Sequence, residues 1–427
     1  MFNRTFVPAL LFSSAIAVQA TEWTQYRGPS GDGHTPDKIT FPMGGAAPKQ
    51  VWKTPSEGGF SSFAVSTGRA FTLILKDVDG AKQECLVALD AKTGKELWSA
   101  ALNVAEYVKG GDKDGGSGTP TNNGGDGPRS TPTTDGASVY VTSSHLVVSA
   151  FDAATGKVQW SHDLLTEFAG RNITWDNAAS PLLEGGVLYV AGGGTGQSIL
   201  AFNSKTGAVV WKAFDEKMTH ATPVAATILN QRQIIFFLQS GLLSVEPKTG
   251  KELWRYTFDY KVSTAASPVV SGDIVYCSAG YGVGAGAVRV SNAGGAWKAT
   301  EIYRVRTNKP LANHWSTPVA KDGYLYGMFQ FKEYGNGPVK CVEIATGQVK
   351  WEQPGFGPGQ VVLAGDRVLA LSDAGELVAF EAKPAGYHEL ARFKILDGKC
   401  WTTPIVSNGQ IFARSTKEAV CLDLSGK

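Results

Sequence analysis

Charge is the first thing this sequence is short of. Asp, Glu, Lys and Arg make up 18% of its 427 residues, and 40 basic against 38 acidic side chains leave a net charge of +2. No Lys/Arg cluster stands out, which excludes the basic stripe of a nucleic-acid-binding face. Cysteine is scarce as well. The five present include no adjacent pair, no Cys-x-x-Cys-His and no metal-ligand spacing, so neither a c-type haem nor a thiolate metal site is expected. Long apolar runs are missing too: Val7 to Val18 is too short to span a bilayer. With Arg4 before it and Val18-Gln19-Ala20 after it, that run reads as a secretory leader cleaved near Ala20. No cysteine follows the cleavage site, so no lipid anchor is expected. The mature protein is placed in the periplasm or outside the cell.

What the sequence has in excess is glycine, 51 residues, and a repeat that uses it. The phrase Ala88-Leu89-Asp90-Ala91-Lys92-Thr93-Gly94-Lys95-Glu96-Leu97-Trp98 returns at Asp152 to Trp160, Asn203 to Trp211, Glu246 to Trp254 and Glu343 to Trp351. Each copy is an alternating strand, a Thr-Gly turn and a second strand carrying Trp. The glycine supplies positive φ, and the Asp, Asn or Glu before it can bond the turn's backbone. Before each phrase stands a second series: Ser/Thr-Pro, an apolar strand, a turn and another apolar strand. Its turns fall at Gly68, Gly136, Gly186, Asn230, Gly272, Gly323, Gly365 and Gly409. Each unit is therefore four short antiparallel strands, repeated roughly every fifty residues, which is the pattern of a propeller blade.

The count gives an all-β, eight-bladed β-propeller. Blade 8 starts at Cys400-Trp401-Thr402-Thr403-Pro404 and has only three strands before the sequence stops, so Gln50-Val51-Trp52-Lys53 is expected to supply the fourth. Closure of this kind leaves no free sheet edge, and a monomer is expected. The segments are a leader at 1–20, an N-terminal arm at 21–46 and the propeller at 47–427. Two blades lack the Trp, with Tyr303 and Phe393 expected in its place. The Trp reads as a packing residue between blades, its N–H bonded to backbone. Cys341 and Cys421 share a register with Ala88, Ala150, Ala201, Ser244 and Ala379, a slot for a small side chain, and are expected as buried thiols. The state of Cys85, Cys277 and Cys400 stays open.

The Ala-x-Asp-x-x-Thr-Gly-Lys-x-x-Trp phrase resembles the PQQ-like (pyrroloquinoline-quinone) repeat over residues 47 to 427. That superfamily includes quinoprotein dehydrogenases and BamB-like assembly factors. Trp23-Thr24-Gln25-Tyr26-Arg27-Gly28-Pro29 further resembles an N-terminal motif of exported PQQ-like propeller proteins of planctomycete-type bacteria, whose function is mostly unassigned. The resemblance implies a fold and a compartment more than a chemistry. It does not carry over a cofactor: the adjacent cysteines of the dehydrogenases are missing, and their calcium-and-quinone acidic set has no residue-by-residue match. No cofactor is expected, PQQ and calcium included.

A ligand or partner site is sought where a propeller's loops converge, at the channel mouth. The residues leading into the inner strands include Arg129, Trp175, Asp176, Asn177, His220, Lys261, Ser263, His314, Trp315 and Trp401. Aromatics beside polar groups suit a sugar, a quinone or a peptide; equally, they can plug a narrow channel and satisfy one another. The Gly-rich insertion at 105–128 lies on the same face, and its Asp112, Asp114 and Asp126 lack the distal Glu of an EF-hand loop. Gly280-Tyr281-Gly282-Val283-Gly284-Ala285-Gly286 has no following helix and so is no phosphate cradle. Three functions stay in play: a non-catalytic binding or scaffolding propeller with a protein partner, a carbohydrate-binding or carbohydrate-active propeller, and, disfavoured, a PQQ-dependent dehydrogenase. No carboxylate pair stands out for glycoside cleavage.

Overall fold

Each repeat unit folds into its own sheet, because a strand of four to ten residues with one alternating apolar face can hide that face only against the next sheet. The computed structural model describes residues 21–42, 46–105, 127–330 and 336–426. The leader and the three aspartates of the 105–128 insertion lie outside these residues. Eight antiparallel four-stranded sheets follow one another; blade 1 runs Ala64–Ser66, Arg69–Val78, Ala81–Asp90 and Glu96–Val104 from the channel outward. The only α-helix among the described residues is Leu164–Glu167. Blade 8 is completed as the sequence predicts: Lys49–Pro55 pairs antiparallel with Glu418–Asp423, placing Trp52 opposite Cys421. One pairing was not anticipated. His34–Thr35 of the arm runs parallel beside Leu363–Ala364 and gives blade 7 a fifth strand.

The Trp phrase is a stitch between neighbours. The indole N–H of Trp98 donates to Ala153 O in the next blade at 3.2 Å, and that of Trp160 to Ser204 O at 2.8 Å. Trp211 reaches Pro247 O and Trp351 reaches Lys383 O, both at 2.8 Å, and Trp52 reaches Ala91 O at 2.9 Å. Each ring lies on the turn it bonds. A Cβ built on Gly156 would stand 2.5 Å from Trp98, and one on Gly94 2.6 Å from Trp52. The turn glycine is thus required twice, for φ near +70° and for the indole above it. Trp254 departs from the pattern because blade 5 turns at Gly294-Gly295 without a Thr-Gly phrase. Its N–H bonds Gln233 Oε1 within its own blade at 2.7 Å.

Tyr303 does occupy the Trp slot of blade 5, opposite Ala287. The placement of Phe393 needs correcting. Ala391 sits opposite Ala379, and Phe393 pairs one pleat along with Leu377. The connection at 382–388 is longer than its counterpart at 91–95, so a count transferred from the other blades slips. Tyr387 of that longer turn packs on Trp351 at 5.7 Å, and Phe393 stacks instead on Phe41 of the arm.

The Ser/Thr-Pro series is a second ring of stitches, around the channel. Ser62 N–H donates to Thr131 Oγ1, Thr131 N–H to Ser180 Oγ and Ser180 N–H to Thr222 Oγ1, at 2.8–3.1 Å. Ser267 bonds back to Thr222 O and forward to Thr317 Oγ1. Gln360 Nε2 donates to Trp315 O, and Ser62 Oγ donates to Thr403 O. Seven of the eight blade junctions are bridged in this way. At the seam, the fully buried Arg414 of blade 8 also donates to Ser61 O and Glu57 O of blade 1.

All five cysteines are buried free thiols. Cys341 and Cys421 face Trp351 and Trp52 across their strand pairs. Burial pushes Cys341 up to about 11 and Cys400 and Cys421 up to about 12, so they stay protonated and inert.

Candidate functional site: a blind cup at the channel mouth

The residues just before the inner ring of hydroxyls converge on one cavity of about 170 Å³. Every blade contributes a side chain to it: Phe60, Arg129, Trp175, His220, Ser263, His314 with Trp315, Gln360, and Trp401, in chain order. Seven of the ten residues named from sequence line this cavity; Asp176 and Lys261 do not, and neither does Asn177. It is buried beside the cup, its Nδ2 donating to Ser143 O and Ala179 O, and it holds the loop that carries Trp175.

Two aromatic arcs form the walls. Phe60 meets Trp401 at 4.9 Å between ring centroids, and Trp401 meets Trp315 at 5.1 Å. Across the cup Trp175 stacks on Tyr281 at 6.4 Å, and Tyr281 meets His314 edge-on at 5.0 Å. Lys399 Nζ sits 4.9 Å over the Trp401 ring at the rim. Trp175 and Asp176 have φ of +66° and +58° outside any hairpin, uncommon for a bulky residue such as Trp175, whereas Tyr281, at +57°, lies in the hairpin loop between Ala279 and Gly284. The Asn172 Nδ2 bond to Asp176 Oδ1 and the Arg129 Nη1 bond to Trp175 O hold the first of these bends in place.

His220 is buried and has both ring nitrogens committed. A carbonyl can only accept, so Nε2–H donates to Thr174 O at 3.0 Å, and Nδ1 takes the Ser263 hydroxyl proton at 3.0 Å. Burial, and secondarily the Arg129 charge, push its pKa down to about 4. Among the described lining residues there is one arginine and no carboxylate. No group of three His, Cys, Asp or Glu able to hold a metal occurs among the described residues.

Sequence reasoning missed several lining residues, among them Tyr26, Phe60, Ser62, Tyr281 and Gln360. Tyr281 stands in the glycine-rich loop 280–286, which the sequence places on the mouth face without singling out the tyrosine. Phe60 precedes a blade that lacks the Ser/Thr-Pro marker. Tyr26 is the most informative, because it belongs to the arm and closes the cup from below. The arm meets the inner strands beyond the hydroxyl ring: Trp23 and Val65 exchange backbone bonds, Thr134 N–H donates to Thr24 O, and Leu183 N–H to Gln25 Oε1. Farther along, Arg27, fully buried, donates to Thr317 O at 2.8 Å and Pro318 O at 2.7 Å, and Gly409 N–H to Asp37 Oδ2. With the His34–Thr35 ladder, six of the eight blades are bonded to the arm. Gly33 is obligatory there, since a Cβ would stand 2.7 Å from Arg27 Nη2. The Trp-x-x-Tyr-Arg-Gly-Pro motif is therefore the floor of the channel.

A protein-family model described as "Outer membrane protein assembly factor BamB" matches residues 46–167, 82–328 and 335–426. The BamB of Moranella endobia is 24% identical over 269 residues, which span 59% of this chain and 64% of that relative. Among solved structures, BamB from Moraxella catarrhalis superposes with a TM-score of 0.59 at 15% identity, over 88% of this chain and 98% of the other. Quinohemoprotein alcohol dehydrogenase from Comamonas testosteroni gives 0.62 at 12% identity, over 95% and 81%. At such identities these two likenesses speak for the fold alone.

Proposed function

The chain belongs to the family of BamB-like PQQ-repeat propellers, and on that footing we propose that it is an exported, non-catalytic binding propeller that receives a ligand or a segment of a partner protein in the mouth cup. The observation that carries this reading is the cup itself. A rigid channel sealed at one end and walled by aromatics at the other is a receptacle, and its strained loop at Trp175 sits where binding would reward the strain. Export is supported by the leader pattern at 1–20 and by relatives named for outer membrane protein assembly. No helix among the described residues is long and apolar enough to cross a membrane.

We read the cup as non-catalytic because its described lining has no carboxylate and His220, one of its two histidines, is spent. A histidine near pKa 4 with both nitrogens bonded is a poor general base at neutral pH, so the Ser263–His220 pair positions loops. The lining does not fit a calcium–quinone pair either. Calcium takes six to eight oxygens, carboxylates prominent among them, and the described lining holds no carboxylate. The test is a photoreactive amino acid installed at His314 in one strain and at the exposed rim residue Val158 in another. Covalent capture from His314 but not from Val158 in the cell envelope is the expected result. Capture from the rim alone overturns the reading and moves the working surface to the blade edges.

A further inference from the structure

Beside the donors of Arg129 and the indole and phenol groups of the walls, three polar side chains at the cup offer acceptors. Ser62 spends its hydroxyl proton on Thr403 O, and Ser263 spends its own on His220 Nδ1. Each therefore presents lone pairs to the cavity and no proton. Gln360, buried at 4% exposure, gives its Nε2–H to Trp315 O, and its Oε1 has no hydrogen-bond partner. A buried amide oxygen left without a donor is costly, on the order of 1–3 kcal/mol, and such atoms in a native fold usually have an absent partner. Gln360 Oε1 thus leaves one unmet demand for a hydrogen-bond donor beside the Ser62 and Ser263 lone pairs, between two aromatic arcs that favour the apolar faces of a ring.

We infer that the cup holds one neutral pyranose ring, either a free sugar or the end of a glycan, with its hydroxyls donating to Gln360 Oε1, Ser62 and Ser263 and its faces against Trp315, Trp401 and Tyr26. This rests on the proposed reading of the mouth as a binding site and adds its chemistry. A carboxylate or phosphate ligand could pair with Arg129 but would set its lone pairs against those of Gln360, Ser62 and Ser263. A cationic ligand would find no carboxylate in the described lining and would stand beside Arg129. Size points the same way, because about 170 Å³ falls below the roughly 300 Å³ at which pockets for drug-sized ligands begin. Tyr26 at the floor fixes the depth, so only one ring is enclosed and any further sugar units project from the mouth.

The experiment titrates the full-length protein with a panel of methyl glycosides of neutral hexoses, deoxyhexoses and N-acetylhexosamines, with glucuronate and glucosamine as charged counterparts. Ligand-observed NMR and tryptophan fluorescence report binding. At least one neutral glycoside is expected to bind, and the charged rings at least about tenfold more weakly. Gln360→Leu and Trp401→Ala should each weaken that binding about tenfold or more, with thermal melts confirming that both variants fold. An oligosaccharide ending in the same ring should bind better than the monosaccharide if the source is a glycan end, and equally if it is a free sugar. Binding of glucuronate as tight as that of the neutral ring, or no binding across the neutral panel, overturns the inference. In either case photo-capture from His314 still decides separately whether the mouth binds anything at all.

Discussion

The rim of the propeller and its mouth are built by opposite rules. At the rim, one indole, one carbonyl and one glycine recur from blade to blade, because each must span the same gap. At the mouth, eight blades offer Phe, Arg, Trp, His, Ser, His with Trp, Gln and Trp, and no two neighbours repeat. The Thr-Gly turns of the rim place glycine at positive φ, whereas at the mouth the bulky Trp175 takes it. Where the sequence is periodic it serves the ring. Where it breaks period without breaking the fold, it is free to serve something else.

The comparison can be broken most forcefully at the seam. Trp52→Ala removes a buried indole that also bonds Ala91 O, and should cost about 3–5 kcal/mol in chemical denaturation. Trp401→Ala at the half-exposed mouth should cost clearly less. Equal losses would erase the distinction. Next in size is a pH effect centred on His220. An unfolded histidine titrates near 6.5, and this one near 4 in the folded state. Below pH 6.5 the unfolded chain takes a proton that the native state refuses until about pH 4. Stability is therefore full above 6.5 and falls by as much as about 3 kcal/mol as the pH drops through that window. His220→Gln should flatten the slope there, and an unchanged slope would assign it to other groups.

Smaller again is Gly156→Ala, which drives a methyl into the Trp98 ring at φ +73° and should destabilise by about 1–3 kcal/mol. The smallest effect is expected at the mouth. Trp175→Asn replaces a bulky residue at positive φ with one that tolerates it. Relief of strain, of order 1 kcal/mol, should offset much of the lost stacking on Tyr281, leaving stability within about 1 kcal/mol while photo-capture from His314 drops. A loss of several kcal/mol would make Trp175 a packing residue like those of the rim.

The fold was legible in the sequence to the level of its closing strand, because the Thr-Gly turn and the Trp are spaced by covalent geometry and so survive as a phrase. Legibility ended where length varied. The longer turn at 382–388 shifted Phe393 off the predicted register and put Ala391 there instead. The mouth side chains were found by position alone, since each lies just ahead of an inner strand. Asn177 shows the limit of that rule: position brings a residue to the mouth, but its rotamer decides whether it faces the cavity or braces the loop. Tyr26 could not be placed by any blade count. It reaches the cup from outside the repeat, through Arg27 bonds to residues some 290 positions away, and only the unexplained Trp-x-x-Tyr-Arg-Gly-Pro motif hinted that the arm had a task.

Pairing of Lys49–Pro55 with Glu418–Asp423 also sets an order of events during synthesis. The first strand of the propeller is made before any blade, and its partner is made almost last. Blades can collapse singly as they emerge, since most of their contacts are local hairpins. Until the end, however, the product is an open crescent with two bare strand edges, one at each tip, each a template for the wrong partner. The arm shortens that exposure. Its backbone bonds to blades 1 and 2 can form early and park the first strand beside the growing ring, so the final search for blade 8 is made at close range.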